Sequence, residues 1–295
     1  MNDVELPRSL QAGSPTLFKR MINLSLRRWR DEAGLKQGEA ATRLRRTTAH
    51  ISNIETDRLP PAPDLELLLD FYGKGDRIPF MMEMLEAARK ANWWKALSGK
   101  VPAWFDLFLG LEEGAIELAS FDSVVVRGLF QTRDYAEAVI RGNPDLTDEQ
   151  VQALVDIRMQ RQHILDRRAN PVHVSTVMDE SVLYRQRGSS DTMRAQLQHL
   201  LDLSQRPRID IQILPFSAGS TPAQDGSTFT MMKFPPGMDE DLGVVFVELL
   251  TGGKYFEKAS EIVEYRRALT RLHSMAADPK ATRAIIRKAM KEVKP

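Results

Sequence analysis

The sequence predicts an α+β chain: a loose arm over 1–16, an all-α domain over 17–90 and a mixed α/β domain over 91–295. Three observations carry this prediction. Up to residue 90 the apolar residues recur at helical three- and four-residue steps. Beyond about Asn92, short runs rich in β-branched residues alternate with helical stripes. The length of 295 residues suits about two domains, and the 42% apolar content excludes wholesale disorder.

The arm is polar and carries Pro7, Gly13 and Pro15. A first helix follows on Phe18, Ile22, Leu26 and Trp29, with Gly34 placed as its left-handed terminator. Two short helices come next, Gln37 to Leu44 with Ala40, Ala41 and Leu44 on one side, and Thr48 to Glu55 with Ile51 and Ile54 inward. Pro60, Pro61 and Pro63 break the chain before Asp64, read as the cap of a helix bearing Leu65, Leu68, Leu69 and Tyr72. Met81, Met84, Leu85 and Ala88 mark a fifth helix. An aromatic stretch, Trp93, Trp94, Trp104, Phe105 and Phe108, stands at the domain junction. Strand-type runs then appear at Ser123–Val126, Val172–Val177, Ile209–Leu214, Thr228–Phe234 and Val244–Leu249. Two helical stripes close the chain over Glu261–Ala276 and Lys280–Val293.

Composition removes several function classes. The chain has no cysteine, so it has no disulfide framework, thiolate nucleophile or Cys-ligated metal. No apolar stretch approaches the roughly 20 residues of a membrane helix, and the first residues do not form a secretory signal. A cytoplasmic protein without a membrane partner is expected. The five histidines are scattered, and no GxSxG, Walker or GxGxxG motif is present. Neither a cofactor nor an enzymatic activity is expected; Asp179, Glu180, Arg185 and Glu248 are the best charged candidates for one.

The net charge of +1 conceals an uneven distribution. Between Leu17 and Pro60 ten cations face five anions, and from Lys280 onward six cations face Glu292 alone. A basic first domain suits a phosphate partner, although a solvated helix surface has the same composition.

The most informative stretch runs from Leu35 to Glu55. Ala41 is small where two helices must approach, and Leu44, Ile51 and Ile54 form the wedge between them. Thr47 can cap the second helix through its hydroxyl. That helix presents Thr48, Ala49, His50, Ser52 and Asn53 outward, a short polar set suited to base edges in a major groove. An amphipathic helical hairpin without a nucleic-acid role is the plainer alternative.

On Leu35, Gln37, Glu39, Ala40, Ala41, Leu44, Ile51, Ser52, Ile54, Glu55 and Arg58, the segment resembles the XRE family of lambda-repressor-like helix-turn-helix regulators. The family usually has glycine where Arg45 stands and asparagine–glycine where Thr56 and Asp57 stand. A side chain in a left-handed turn costs about 1 kcal/mol, so a distorted turn after Leu44 is expected. The resemblance implies that Gln37 bonds a phosphate, that Thr48, Ala49 and Asn53 face bases with Ser52 joining them, and that Arg43 and Arg58 hold the backbone. Thr47 and His50 would join the backbone contacts; a merely solvent-facing His50 is equally compatible.

The motifs Trp93-Trp94, Pro102 to Phe105, Gly110 to Glu112, Gly128 to Thr132 with Tyr135, Leu214 to Gly219 and Tyr265 to Arg267 resemble a large actinobacterial regulator group that includes WhiJ-type proteins. This implies a repressor-like protein working on a double-stranded operator. Its second domain would sense a small-molecule or peptide effector, bind a small protein encoded nearby, or build a homodimer. An antitoxin-like adaptor that autoregulates its own operon is the alternative. Trp93, Trp94, Phe216 and Tyr265 are the candidates for an effector or partner pocket. The stretch 214–226 either borders that pocket or is a plain connecting loop.

Overall fold

The computed structural model describes residues 13–91, 103–222, 228–235 and 243–293. They fall into two compact units, the first over 13–91 and the second over 103–222, 228–234 and 243–293.

The first unit is five helices: α1 (Pro15–Glu32), α2 (Gln37–Leu44), α3 (Thr48–Thr56), α4 (Ala62–Phe71) and α5 (Ile78–Ala88). Ser14 caps α1 by accepting from the Leu17 amide, and Pro15 occupies the first turn. The helix therefore starts inside the segment expected to be an arm; residues 1–12 lie outside the described residues. Gly34 ends α1 at φ +70°, and the Leu35 amide reaches back to the Arg30 carbonyl. Leu17, Ile22, Leu26, Ile51, Leu65 and Leu68 are fully buried and form the centre of this unit. Asp64 is not the cap of α4, because that helix begins at Ala62 behind Pro61. Its buried carboxylate instead sits within 3.0 Å of His50 Nε2.

The second unit contains α6 (Ala103–Gly114), β1 (Glu117–Asp122), α7 (Arg133–Ile140), α8 (Asp148–Arg161), β2 (His173–Asp179), α9 (Ser190–Leu203), β3 (Ile209–Leu214), β4 (Phe229–Lys233), β5 (Val244–Leu249), β6 (Gly252–Phe256), α10 (Ala259–Met275) and α11 (Pro279–Glu292). Its six strands form one sheet in the order β3-β2-β1-β4-β5-β6. The β1–β2 and β2–β3 pairs are parallel, joined through helices, and the β1–β4, β4–β5 and β5–β6 pairs are antiparallel. A mixed sheet with helices gives the α+β class expected for the whole chain. Two details differ from expectation. The first strand is 117–122 rather than 123–126, and β6 has no counterpart in the sequence reading. Gly243, at φ +95°, precedes β5, and a Cβ there would lie 2.2 Å from the Met232 carbonyl oxygen, so only glycine fits.

The apolar stripe of α11 packs in part within the chain. Ile286 and Ala289 are buried where α11 packs on α9 and β3.

Candidate nucleic-acid interface

The two helices of the motif are joined by three residues, 45–47. Arg45 adopts φ 54°, ψ 42°, and the Arg46 amide closes back on the Ala41 carbonyl at 2.9 Å. This is the left-handed helix ending that glycine usually makes, formed here with a side chain in place. The turn after Leu44 keeps its shape, so the expected distortion is absent; the strain resides in the Arg45 backbone.

Thr47 begins α3 as its cap, its hydroxyl accepting from the His50 amide at 3.2 Å. The far end of α3 needs no glycine either, because Asp57 has φ −140°. With its amide oriented to satisfy its neighbours, the buried Asn23 donates to the Ile54 and Arg58 carbonyls and accepts from the Asp57 amide. A side chain from α1 thus caps the end of α3.

Within α3 the four-residue spacing separates two faces. Ile51, Ile54 and Glu55 are buried. Thr48, Ala49 and Asn53 are exposed and Ser52 is half-buried, so the four residues expected to meet bases share one outward face. Arg43 and Arg58, given backbone roles, are exposed at either side, as are Arg45 and Arg46, which the sequence reading did not select. Two of the expected backbone contacts are engaged inside the protein. His50 Nε2 lies 3.0 Å from Asp64 Oδ2, tying α3 to α4, and Gln37 Nε2 donates to Glu55 Oε2 at 2.8 Å.

Glu55 is the hub that sequence reasoning missed. It is 3% exposed and receives Arg30 through two bonds, Nε to Oε1 at 2.6 Å and Nη2 to Oε2 at 2.9 Å. Arg30 Nη1 donates to the Leu35 carbonyl at 2.8 Å. The bonds that Arg30 donates to Glu55 hold the guanidinium well above its ordinary basicity. One ion pair therefore fixes α1, the loop before α2 and α3 in a single geometry. The sign that could have found it is a charged residue on the inward stripe of α3, one position after Ile54.

Of the four residues expected to form a pocket, two are among the described residues. Trp93 and Trp94 lie outside the described residues. Phe216 is 62% exposed in a short turn and packs on Tyr184. Tyr265 is part-buried between the rings of Phe229 and Phe256. Of the charged candidates, Asp179 caps the turn at Ser181, Glu180 accepts from the Phe216 amide, and Glu248 lines a cavity elsewhere in the second unit. No helix among the described residues is long and apolar enough to cross a membrane.

Comparison with known proteins agrees with this division. Residues 24–77 match the family model described as "Helix-turn-helix domain", covering the turn, α3 and the Arg30–Glu55 pair. The first unit is thus a helix-turn-helix domain of the DNA-binding kind. No curated protein and no solved structure matches the chain. Residues 105–288 of the 295 match the model described as "Domain of unknown function (DUF5753)". That match spans more than half of the sequence and takes in every element of the mixed sheet, and the chain belongs to the DUF5753 family.

Proposed function

We propose that this chain is a sequence-specific transcriptional regulator, acting as a repressor, that lays α3 in the major groove of an operator. One observation carries the reading: Thr48, Ala49, Ser52 and Asn53 form an outward polar face between exposed arginines at positions 43 and 58. Asn53 is suited to a bidentate pair with adenine, and the arginines to phosphates. The second unit serves assembly and sensing rather than catalysis. A homodimer follows from the arithmetic of recognition, since four side chains read few base pairs and two half-sites about 34 Å apart multiply the discrimination. Kinship with the WhiJ-like regulators is part of the proposal, on the motifs quoted above.

The test is a binding titration of the full chain over related operators at several salt concentrations. Asn53→Ala should blur preference at one or two base pairs, at about 1–3 kcal/mol, and leave the salt slope unchanged. Arg58→Ala should weaken all sequences alike and reduce that slope by about one. Equal and salt-independent losses for both variants would refute the assignment.

A further inference from the structure

The second unit has an open-mouthed cavity of about 610 Å³ at the end of β1, where the parallel half of the sheet gives way to the antiparallel half. Such switch points at the carboxyl ends of strands are where open sheets with crossover helices commonly take ligands, and the volume lies in the range of small-molecule sites. Part of its wall is aromatic: Phe105, Phe108 and Phe246 form a connected set, with successive ring centroids 5.2 and 4.6 Å apart. The charged residues in the lining are Arg127, Arg158 and Arg161 together with Glu112, Asp122 and Glu248.

The three arginines are satisfied to very different degrees. Arg161 is committed, donating to both oxygens of the buried Glu112 at 2.7 and 2.9 Å. Arg158 donates to Gln131 Oε1 at 2.9 Å and meets no carboxylate at ion-pair distance among the described residues. Arg127 is 5% exposed, and its one bond is a long one, Nη1 to Thr230 Oγ1 at 3.4 Å. Its Nε and Nη2 are buried and have no acceptor. The nearby Asp122 accepts from Ser120 and Thr176 at 2.6 and 2.7 Å. Burial pushes its carboxyl toward the neutral form and lowers the basicity of Arg127.

A guanidinium edge left without acceptors in this way matches the two oxygens of an anion. We propose that the cavity binds a small organic anion, a carboxylate or phosphate ester on a flat apolar body, with its head group held by Arg127 and Arg158 and its body against the phenylalanines. The proposal deepens the reading of the second unit as a sensor and rests on that reading only for its regulatory consequence.

The test is calorimetric titration of the full chain, without DNA, with AMP and salicylate and with their uncharged counterparts, adenosine and salicylamide. At least one anion should bind once per chain and at least tenfold more tightly than its counterpart, and which anion does so identifies the head group. Arg127→Gln should weaken that binding at least tenfold. Should circular dichroism show this variant misfolded, Arg158→Gln takes its place with the same expected loss. Binding of neither anion, equal binding of charged and uncharged forms, or unchanged affinity in the folded variant would overturn the site. The anion that binds is then added to the operator titration; unchanged DNA affinity would refute sensing and leave the site standing.

Discussion

Arg30 in the first unit and Arg127 in the second are the same residue at nearly the same burial, 7% and 5% exposed, and the protein treats them in opposite ways. All three nitrogens of Arg30 have acceptors, two of them on one carboxylate. Two of the three nitrogens of Arg127 have none. Withdrawing a charge from water costs several kcal/mol, and only well-made contacts return it. At Arg30 the contacts come from the fold, and the result is a rigid frame for α3. At Arg127 the fold leaves them unmade, which is how a receptor for something outside the chain differs from a scaffold.

The largest effect should separate the two residues directly. Arg30→Ala leaves Glu55 buried without its partner and should cost about 3–5 kcal/mol. Arg127→Gln removes a charge that the fold does not fully satisfy, and should cost less than about 1 kcal/mol. Urea unfolding of the full chain, followed by helical circular dichroism, compares them, and equal losses would break the contrast. Arg161 sharpens it from within the cavity. Because it is paired to Glu112 as Arg30 is to Glu55, Arg161→Ala should resemble the Arg30 variant despite lying beside Arg127.

A smaller effect is expected at Arg45, a third kind of arginine, whose side chain is exposed and whose backbone carries the strain. Arg45→Gly should stabilise the first unit by about 1 kcal/mol, because glycine adopts this conformation without a Cβ clash. If the side chain is kept there to meet a phosphate, the same variant should bind operator DNA less tightly. Greater stability with undiminished DNA affinity would show that the strain serves nothing at the interface.

Legibility in the sequence followed the range of the interactions. The first unit was readable because its signals are local: the spacing of Phe18, Ile22 and Leu26, the glycine at 34 and the hydroxyl at 47. Strand β3 was readable for the same reason, as a run of isoleucines between turns. The placement of β1 was not. Val124 to Val126 have strand-forming side chains, yet the strand is the preceding segment, with Ser120 and Asp122 in it. Those two polar residues are tolerated in the core because Thr176, on the neighbouring strand, bonds to both. Nothing in the local pattern announces a partner more than fifty residues away. The cavity was hidden for the same reason: its wall is assembled from α6, the turn before α7, the helix α8 and the strands β4 and β5, segments far apart in sequence. Phe216 and Tyr265 stand out as the aromatic members of the motifs 214–219 and 265–267, a signal that does not distinguish a pocket wall from core packing.

The smallest expected effect is on the response to acid, and it belongs to the second unit. His199 and His273 are part-buried there, and burial lowers both below the ordinary histidine value; His273 also lies 2.7 Å from Gln212 Oε1. A group with a depressed folded-state pKa contributes stability that is complete above about pH 6.5 and is lost as pH falls through the folded value, since the unfolded chain takes the proton more readily. His163 acts in the opposite sense. Its bond to Glu113 raises it, so its contribution is present below about pH 6.5 and fades as pH rises through the folded value. The two depressed histidines steepen the rise of stability from pH 5.5 to pH 7.5, while His163 and the buried Asp122, whose carboxyl burial holds toward the neutral form, flatten that slope. His273→Gln should flatten part of that slope, and His163→Gln should steepen it. Variants that shift the melting temperature equally at both pH values would show that these histidines contribute packing alone. The contrast between the units would then rest on the arginines.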